Sequence, residues 1–299
     1  MADPQGVSKA HDVAVVGCGL MGSALVRALA AGGHSVAAWN RTPERAEALA
    51  SDHVTPVRSV DDAVAGTRLV ITCVLNHRST LEALRPVRSW EGVTLADVGT
   101  TMPDEARAME RWAADRGARY LDGAILCFPR DIGSPEATVL YAGSPAAWSE
   151  HRKPLMALGG ASRFLSDRVV SAGLVDVALA GGWFIASLGA YVEAATYMLE
   201  RGVPARVLYE QAEGALRVLR DAVRDATGEI ERGDFRTEQA TLEIYARGGR
   251  AALGVMRADG HRARLLGAAV ENLTEAEAHG LGRLAFSAQT KVARGTRPA

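Results

Sequence analysis

Hydrophobic positions are spaced differently in the two parts of this 299-residue chain. Up to about residue 166, short apolar runs typical of buried strands alternate with helix patterns. The strand-like runs lie at 13–17, 35–39, 68–76, 93–101, 118–126, 137–143 and 162–165. Beyond them only helix patterns are found, at 205–226, 236–259 and 261–278, with a long break at 228–234. We therefore predict an α/β domain with a parallel sheet over residues 1–166, and a helical region over residues 167–299.

A long apolar segment, residues 169–199, joins these two parts. Its only charged residues are Asp176 and Glu193. As a helix it would be about 45 Å long, and a helix that is apolar on all sides must be buried by a membrane, a second domain or a partner chain. Its length suits a membrane span, but Asp176 and the many Ala and Gly residues argue against one. We predict an interdomain helix with a lone carboxylate in an apolar wall.

A glycine-rich turn follows the first predicted strand. Gly17, Gly19 and Gly22 have the G-x-G-x-x-G spacing and stand between a strand and a helix, which is the context that dinucleotide binding requires. Gly17 permits the tight turn, Gly19 lets the backbone approach a pyrophosphate, and Gly22 lets helix and strand pack closely. Leu20 and Met21, inside this turn, are predicted to contact the cofactor as well.

The end of the second strand predicts which dinucleotide binds. An NAD site usually has Asp or Glu there, whereas this chain has Asn40, Arg41 and Thr42, with Arg45 one turn later. A guanidinium binds a 2′-phosphate that a carboxylate would repel, so we predict NADPH.

Loops after the next two strands are expected to surround the rest of the cofactor, because ligands of open parallel sheets bind at the carboxyl ends of the strands. The residues that we select there are Leu75, Asn76 and Thr100. His77 has no visible partner, and we interpret it as a loop residue.

Composition limits the class of protein. Hydrophobic residues make up 48% of the chain and the net charge is −1, which predicts neither nucleic-acid binding nor attraction to membrane surfaces. Three widely spaced cysteines give neither a disulfide framework nor a metal pattern. No secretory signal is visible near the N-terminus, and we expect a cytoplasmic protein.

The helical region is too small to bury the long helix by itself. We therefore predict a homodimer in which the helical domains of two chains wrap around each other's long helix, with a compact monomer as the alternative.

Asp176 is the residue from which we infer the chemistry. An isolated buried carboxyl group has a raised pKa or faces a cationic ligand. It can therefore donate a proton or stabilise a positive charge, and both roles suit reduction of a C=N bond. The alternative is a structural Asp that caps or packs without a chemical role.

Several segments resemble imine reductases, an NADPH-dependent branch of the β-hydroxyacid dehydrogenase superfamily. They are GCGLMG with WNRTPERA, YLDGAILCFPRDIGSPEATVLYAGS, HRKPLMALGG and HGLGRLAF. The resemblance implies a Rossmann domain, an interdomain helix and a domain-swapped helical dimer, with Asp176 as the catalytic residue of the Asp-bearing type. We also predict that Ile125, Trp183 and Phe184 contact the imine substrate, with packing in the core or at the dimer interface as the alternative for the two aromatic residues.

Some residues of this chain differ from those of the families that it resembles, and these differences bear on the choice between possible functions. Hydroxyacid dehydrogenases carry a catalytic Lys on the interdomain helix, and this chain has no Lys between Lys153 and Lys291. Val175, where many relatives have Tyr, and the pair Gly181–Gly182 suggest an enlarged pocket, as in a natural-product pathway. A carbonyl-reducing β-hydroxyacid dehydrogenase relative and a non-catalytic NADPH-binding sensor stay open as alternatives.

Overall fold

In the computed structural model, which describes residues 11–293, the chain forms two compact units. The described residues up to Trp183 make up the first unit, and those from Phe184 onwards make up the second. This division lies inside the long helix, whereas the boundary predicted from the sequence, residue 166, precedes that helix and stays a prediction.

The first unit is built on one eight-stranded sheet in the order β3-β2-β1-β4-β5-β6-β7-β8. All neighbouring strands are parallel except β6 and β7, which are antiparallel. β3 is too short to give a clear pattern, and the sequence analysis missed it. The strands are β1 (Val13–Val16), β2 (Val36–Trp39), β3 (Val54–Pro56), β4 (Leu69–Thr72), β5 (Thr94–Asp97), β6 (Arg119–Ile125), β7 (Val139–Gly143) and β8 (Arg163–Ser166).

Helices cover both faces of this sheet, and the core is therefore split in two. Val13 and Val15 of β1 belong to one apolar cluster and Ala14 and Val16 to the other, because successive side chains of a strand point to opposite faces. A sheet with an apolar cluster on each face is expected where helices bury both of its sides. The helices between strands are α1 (Leu20–Ala31), α2 (Pro43–Glu47), α3 (Val60–Ala65), α4 (His77–Leu84), α5 (Pro103–Ala114) and α6 (Pro145–Met156).

The chain turns away from the sheet earlier than the apolar runs predict. β4 ends at Thr72 rather than at 76, and residues 73–76 form the connection to α4. The Asn76 side chain accepts a hydrogen bond from the Ser79 N–H (2.9 Å) and caps that helix. His77 is the first residue of α4, so its interpretation as a loop residue is wrong.

The predicted long helix is present from Val170 to Glu200. It consists of α7 (Val170–Val175), a π-helical segment (Asp176–Phe184) and α8 (Ile185–Glu200). Its length and apolar composition would allow it to cross a membrane. The core helices of soluble proteins can have the same length and composition. Large apolar side chains along it are exposed in the single chain, among them Leu179, Ile185 and Leu188.

The second unit contains only helices among its described residues. They are α8 of the long helix, α9 (Ala205–Arg232), α10 (Leu242–Ala258) and α11 (Arg264–Ala278), followed by a 3₁₀ helix (Phe286–Lys291).

The predicted end of α9 and the predicted start of α10 are wrong, because the break between the two helices lies later in the chain. α9 runs through Gly228 and ends at Arg232, where Gly233 has a left-handed backbone (φ +66°). Asp234 and Arg236 form an ion pair (2.5 Å) in the loop that follows, and α10 begins at Leu242 instead of 236.

Candidate active site

The glycine-rich turn between β1 and α1 is fixed by close backbone contacts. Gly17 has a φ of +106°, and a Cβ atom on it would lie 2.3 Å from the Cys73 carbonyl oxygen. A Cβ atom on Gly22 would lie 1.9 Å from the carbonyl oxygen of Gly17. A Cβ atom on Gly19 would meet nothing within 4 Å. Gly17 and Gly22 are therefore required by the fold, whereas Gly19 keeps open the space in front of the turn.

That space is suited to an anion. Gly19 is the N-cap of α1 and has no side chain to cap it. The first N–H groups of a helix lack partners within the helix and lie at the positive end of its dipole. The start of α1 can therefore bind a phosphate through its backbone.

A cleft of about 710 Å³ lies in front of this turn. Its lining includes ten of the twelve cofactor residues that the sequence predicts: Gly17, Gly19, Leu20, Met21, Gly22, Asn40, Arg41, Thr42, Arg45 and Leu75. It also includes seven residues that the sequence analysis missed: Trp39, Cys73, Val74, Ser79, Glu82, Ala83 and Pro86. The last four belong to α4 and the residues that follow it, a helix that was not predicted separately.

Two predicted residues are not part of this lining. The side chain of Asn76 caps α4, and Thr100 is exposed in the loop after β5. Their contact with the cofactor stays a prediction.

The charged rim of the cleft is formed where β2 ends. Arg41 and Arg45 are exposed there, and no carboxylate stands directly after the strand. Asn40 has protein partners at both ends of its amide: Oδ1 accepts from the Cys18 N–H (2.9 Å), and Nδ2 donates to the Thr42 carbonyl (2.9 Å). Asn40 therefore ties the glycine turn to the segment that carries the arginines.

Two leucines give the cleft an apolar surface. Leu20 is 87% exposed and Leu75 is 83% exposed, far above what is usual for leucine. Such exposure in the wall of a cleft indicates a ligand that covers them.

The cysteines near the cleft are not poised for nucleophilic chemistry. Burial raises the pKa of Cys18 to about 11 and that of Cys73 to about 12. Both are therefore neutral thiols at pH 7, and the thiolate is the reactive form. Among residues 11–293, His, Cys, Asp and Glu side chains form no group of three that would hold a metal ion.

Asp176 is the first residue of the π-helical segment and is half-buried. Burial raises the pKa of its carboxyl group. Within residues 11–293 it forms no side-chain hydrogen bond and no ion pair, so it keeps its capacity to bind a ligand.

The predicted substrate residues lie on two elements. Ile125 is the last residue of β6 and is half-buried, whereas Trp183 and Phe184 end the π-helical segment and are 49% and 44% exposed. Their contact with a substrate stays a prediction.

Known proteins are similar to this chain in both its dinucleotide-binding part and its C-terminal part. Residues 12–173 match the model of the NAD binding domain of 6-phosphogluconate dehydrogenase, and residues 170–295 match the C-terminal domain of NADPH-dependent reductive aminase-like proteins. An NADPH-dependent reductive aminase of Aspergillus oryzae is 28% identical over 79% of this chain and 81% of its own length.

Solved structures give the same assignment. An imine reductase from Pseudomonas sp. is 26% identical, with a TM-score of 0.89 over 96% of this chain and 100% of its own. A reductive aminase from Aspergillus terreus in complex with NADPH and ethyl levulinate is 25% identical, with the same TM-score and coverage. The chain therefore belongs to the imine reductase and reductive aminase family, in which a dinucleotide-binding domain is followed by a helical C-terminal domain.

Proposed function

We propose that this protein reduces the C=N bond of an imine or iminium ion to an amine, with NADPH as the reductant. The observation that carries the proposal is a dinucleotide cleft with two arginines at its rim, combined with a half-buried carboxyl group at Asp176 that forms no side-chain hydrogen bond or ion pair among residues 11–293. Membership of a family that includes imine reductases and reductive aminases supports the same reaction.

The residues of the cleft fit NADPH. The backbone N–H groups at the start of α1 would bind the pyrophosphate, and the open side of Gly19 leaves room for it. Arg41 and Arg45 would bind the 2′-phosphate, with Thr42 beside them, and Leu20 and Leu75 would cover apolar parts of the cofactor. When bound, NADPH supplies the hydride.

Asp176 acts on the nitrogen of the substrate. With its pKa raised by burial, the carboxyl group can donate a proton to the imine nitrogen, and in its ionised form it can stabilise an iminium cation. Ile125, Trp183 and Phe184 would line the substrate site. The wide π-helical turn with Gly181 and Gly182 supports a bulky cyclic imine, as in a natural-product pathway.

We also propose that the protein is a cytoplasmic homodimer. The apolar side chains exposed along the long helix, and those on α9, leave more apolar area uncovered than a soluble monomer usually exposes. A second copy of the chain would cover it.

The reaction is tested by NADPH oxidation at neutral pH. The substrates are a panel of cyclic imines, a ketone without amine, and, in the reverse direction, a 3-hydroxyacid with NADP⁺. We expect turnover with at least one imine and none with the hydroxyacid. Turnover with the ketone or hydroxyacid alone would replace the proposal by the carbonyl-reducing alternative, and NADPH binding without any turnover would favour a sensor.

A further inference from the structure

Two buried carboxyl groups lie side by side in the sheet beneath the long helix. Asp97 ends β5, and Asp122 is its register partner on the parallel strand β6. Asp97 is 0% exposed and Asp122 is 1% exposed. Neither was selected from the sequence. Buried carboxyl groups are costly unless they are paired, hydrogen-bonded or neutral, so their presence requires an explanation.

The two groups have different partners. Oδ1 of Asp97 accepts from the Thr72 hydroxyl (2.8 Å) and from the Gly99 N–H (3.1 Å), while its Oδ2 has no partner among residues 11–293. Oδ2 of Asp122 accepts from the Gly173 N–H (3.1 Å), and the Tyr120 hydroxyl lies 3.4 Å from Oδ1.

Both carboxyl groups have a raised pKa, and the neighbouring charge adds to the rise at Asp122. Burial raises the pKa of Asp122 to about 8, the charge of Asp97 adds to this rise, and the Gly173 N–H opposes it. Burial raises the pKa of Asp97 too, but Thr72 and Gly99 donate to its ionised form. The other titratable groups that face the pair or its hydrogen-bond partners are Asp176, Tyr120, His77, Glu110 and Cys73.

Asp122 is connected directly to the turn that precedes Asp176. Gly173 lies in α7, three residues before Asp176, so the two residues lie on the same side of the helix. The approach at Gly173 is close, because a Cβ atom there would lie 3.0 Å from the Thr101 carbonyl oxygen and 3.5 Å from Oδ2 of Asp122. Ala172 packs beside it on Ala124 and Ala142.

The same pair also lies behind the wall of the cofactor cleft. Thr72, which donates to Asp97, directly precedes Cys73 and Val74 in the cleft lining. Gly99, the other donor, sits against that lining, since a Cβ atom on it would lie 2.8 Å from the Val74 carbonyl oxygen. The pair therefore joins the cofactor wall to the turn that carries Asp176.

We propose that Asp122 is a positioning residue for Asp176: in its neutral form it holds the Gly173 N–H and thereby fixes the helical turn that places the Asp176 carboxyl group. Ionisation of Asp122 places a second buried charge beside Asp97. The Gly173 N–H, whose donation favours the ionised form, is then drawn closer, and the turn of α7 that carries Gly173 shifts. This inference rests on the proposed imine reduction, since the placement of Asp176 matters for that reaction.

The first test is the pH dependence of kcat for wild type and Asp122→Asn with one imine. Asn is permanently neutral and its Oδ1 still accepts from Gly173. We expect the ratio of kcat for Asp122→Asn to kcat for wild type to be near 1 at pH 6.5 and to rise at least about threefold by pH 9.5, because only wild type ionises near pH 8. A ratio that is constant over this range would overturn the proposal.

A second comparison, between Asp122→Ala and Asp122→Asn, separates the loss of the hydrogen-bond acceptor for Gly173 from the loss of the ionisable group. Asp122→Ala removes the acceptor for Gly173, and we expect kcat to fall about tenfold while the Kd for NADPH changes less than twofold. Asp122→Asn should restore kcat to within about twofold of wild type. The exposed Asp115, the residue directly after α5, gives the matched control Asp115→Asn. Wild-type kcat in Asp122→Ala would contradict the positioning role.

A third measurement does not depend on turnover. A carboxyl group whose pKa is higher in the folded than in the unfolded state loses its contribution to stability as pH rises through the folded pKa. The difference in Tm between Asp122→Asn and wild type should therefore grow from pH 5 to about 8 and then level off. A Tm difference that does not change with pH would contradict a raised pKa at Asp122. The absence of imine turnover in wild type would overturn the proposed function alone.

Discussion

At the scale of single residues, the cofactor preference depends on the segment after β2. Arg41 and Arg45 are the cations at the rim of the cleft, and Asn40 stands where a carboxylate would select NADH. The sequence predicts this preference from residue types alone. The two hydrogen bonds that occupy the Asn40 amide depend on tertiary contacts with Cys18, and no local pattern reveals them.

Arg41→Ala is expected to raise the Kd for NADPH about tenfold, about 1.4 kcal/mol, because one charge-assisted contact with the 2′-phosphate is lost. The Kd for NADH should change less than twofold. Titration of cofactor fluorescence measures both. Arg27→Ala, an exposed arginine of α1 outside the cleft lining, is the control. An equal loss for both cofactors would mean that Arg41 supports the fold rather than the phosphate.

At the scale of elements, the β1–turn–α1 unit is the part of the site that the sequence specifies most fully. The spacing of Gly17, Gly19 and Gly22 predicts both the strand–turn–helix context and the reason for each glycine, and the backbone contacts agree for Gly17 and Gly22. The wall formed by α4 was not predicted, since its polar sequence with few apolar positions gives a weak helix pattern.

Two glycine variants separate folding from binding in this unit. Gly22→Ala is expected to destabilise the protein by about 1–3 kcal/mol and to lower Tm, because its Cβ atom would overlap the Gly17 carbonyl. Gly19→Ala should keep the wild-type Tm but weaken NADPH binding, because its Cβ atom extends into the open side of the turn. Thermal unfolding and cofactor titration distinguish these results. Similar Tm losses in both variants would contradict this division of roles.

At the scale of the whole molecule, the helical region shows where sequence patterns are insufficient. Its all-α class follows from periodicity, but α9 continues through Gly228 and ends at the left-handed Gly233. The π-helical segment at Asp176–Phe184 has no periodic signature either, and it was not predicted.

The prediction for the proposed dimer concerns the apolar residues on the exposed face of α9. Leu216, Leu219, Val223 and Ile230 are exposed and recur at helical spacing. We expect wild type to have twice the 31.6 kDa mass of one chain in light scattering. The double variant Leu219→Asp with Val223→Asp should have the mass of one chain or aggregate.

The control for that variant is Asp225→Lys, which changes an exposed charge elsewhere around the same helix. It should leave the mass unchanged. A monomeric wild type would contradict the dimer, and recovery of the chain only with detergent would instead support the membrane interpretation of the long helix.

The central claim is that Asp176 serves the reduction of an imine, and its most direct test is imine-dependent NADPH oxidation by wild type, Asp176→Asn and Asp176→Ala. Removal of one group that donates a proton or stabilises the cation should lower kcat about 10²–10⁴-fold in the alanine variant, with the Kd for NADPH unchanged. Asp176→Asn should be nearly as impaired, since an amide neither ionises nor donates an acidic proton. Wild-type turnover in both variants would show that Asp176 is a structural residue and contradict the mechanism.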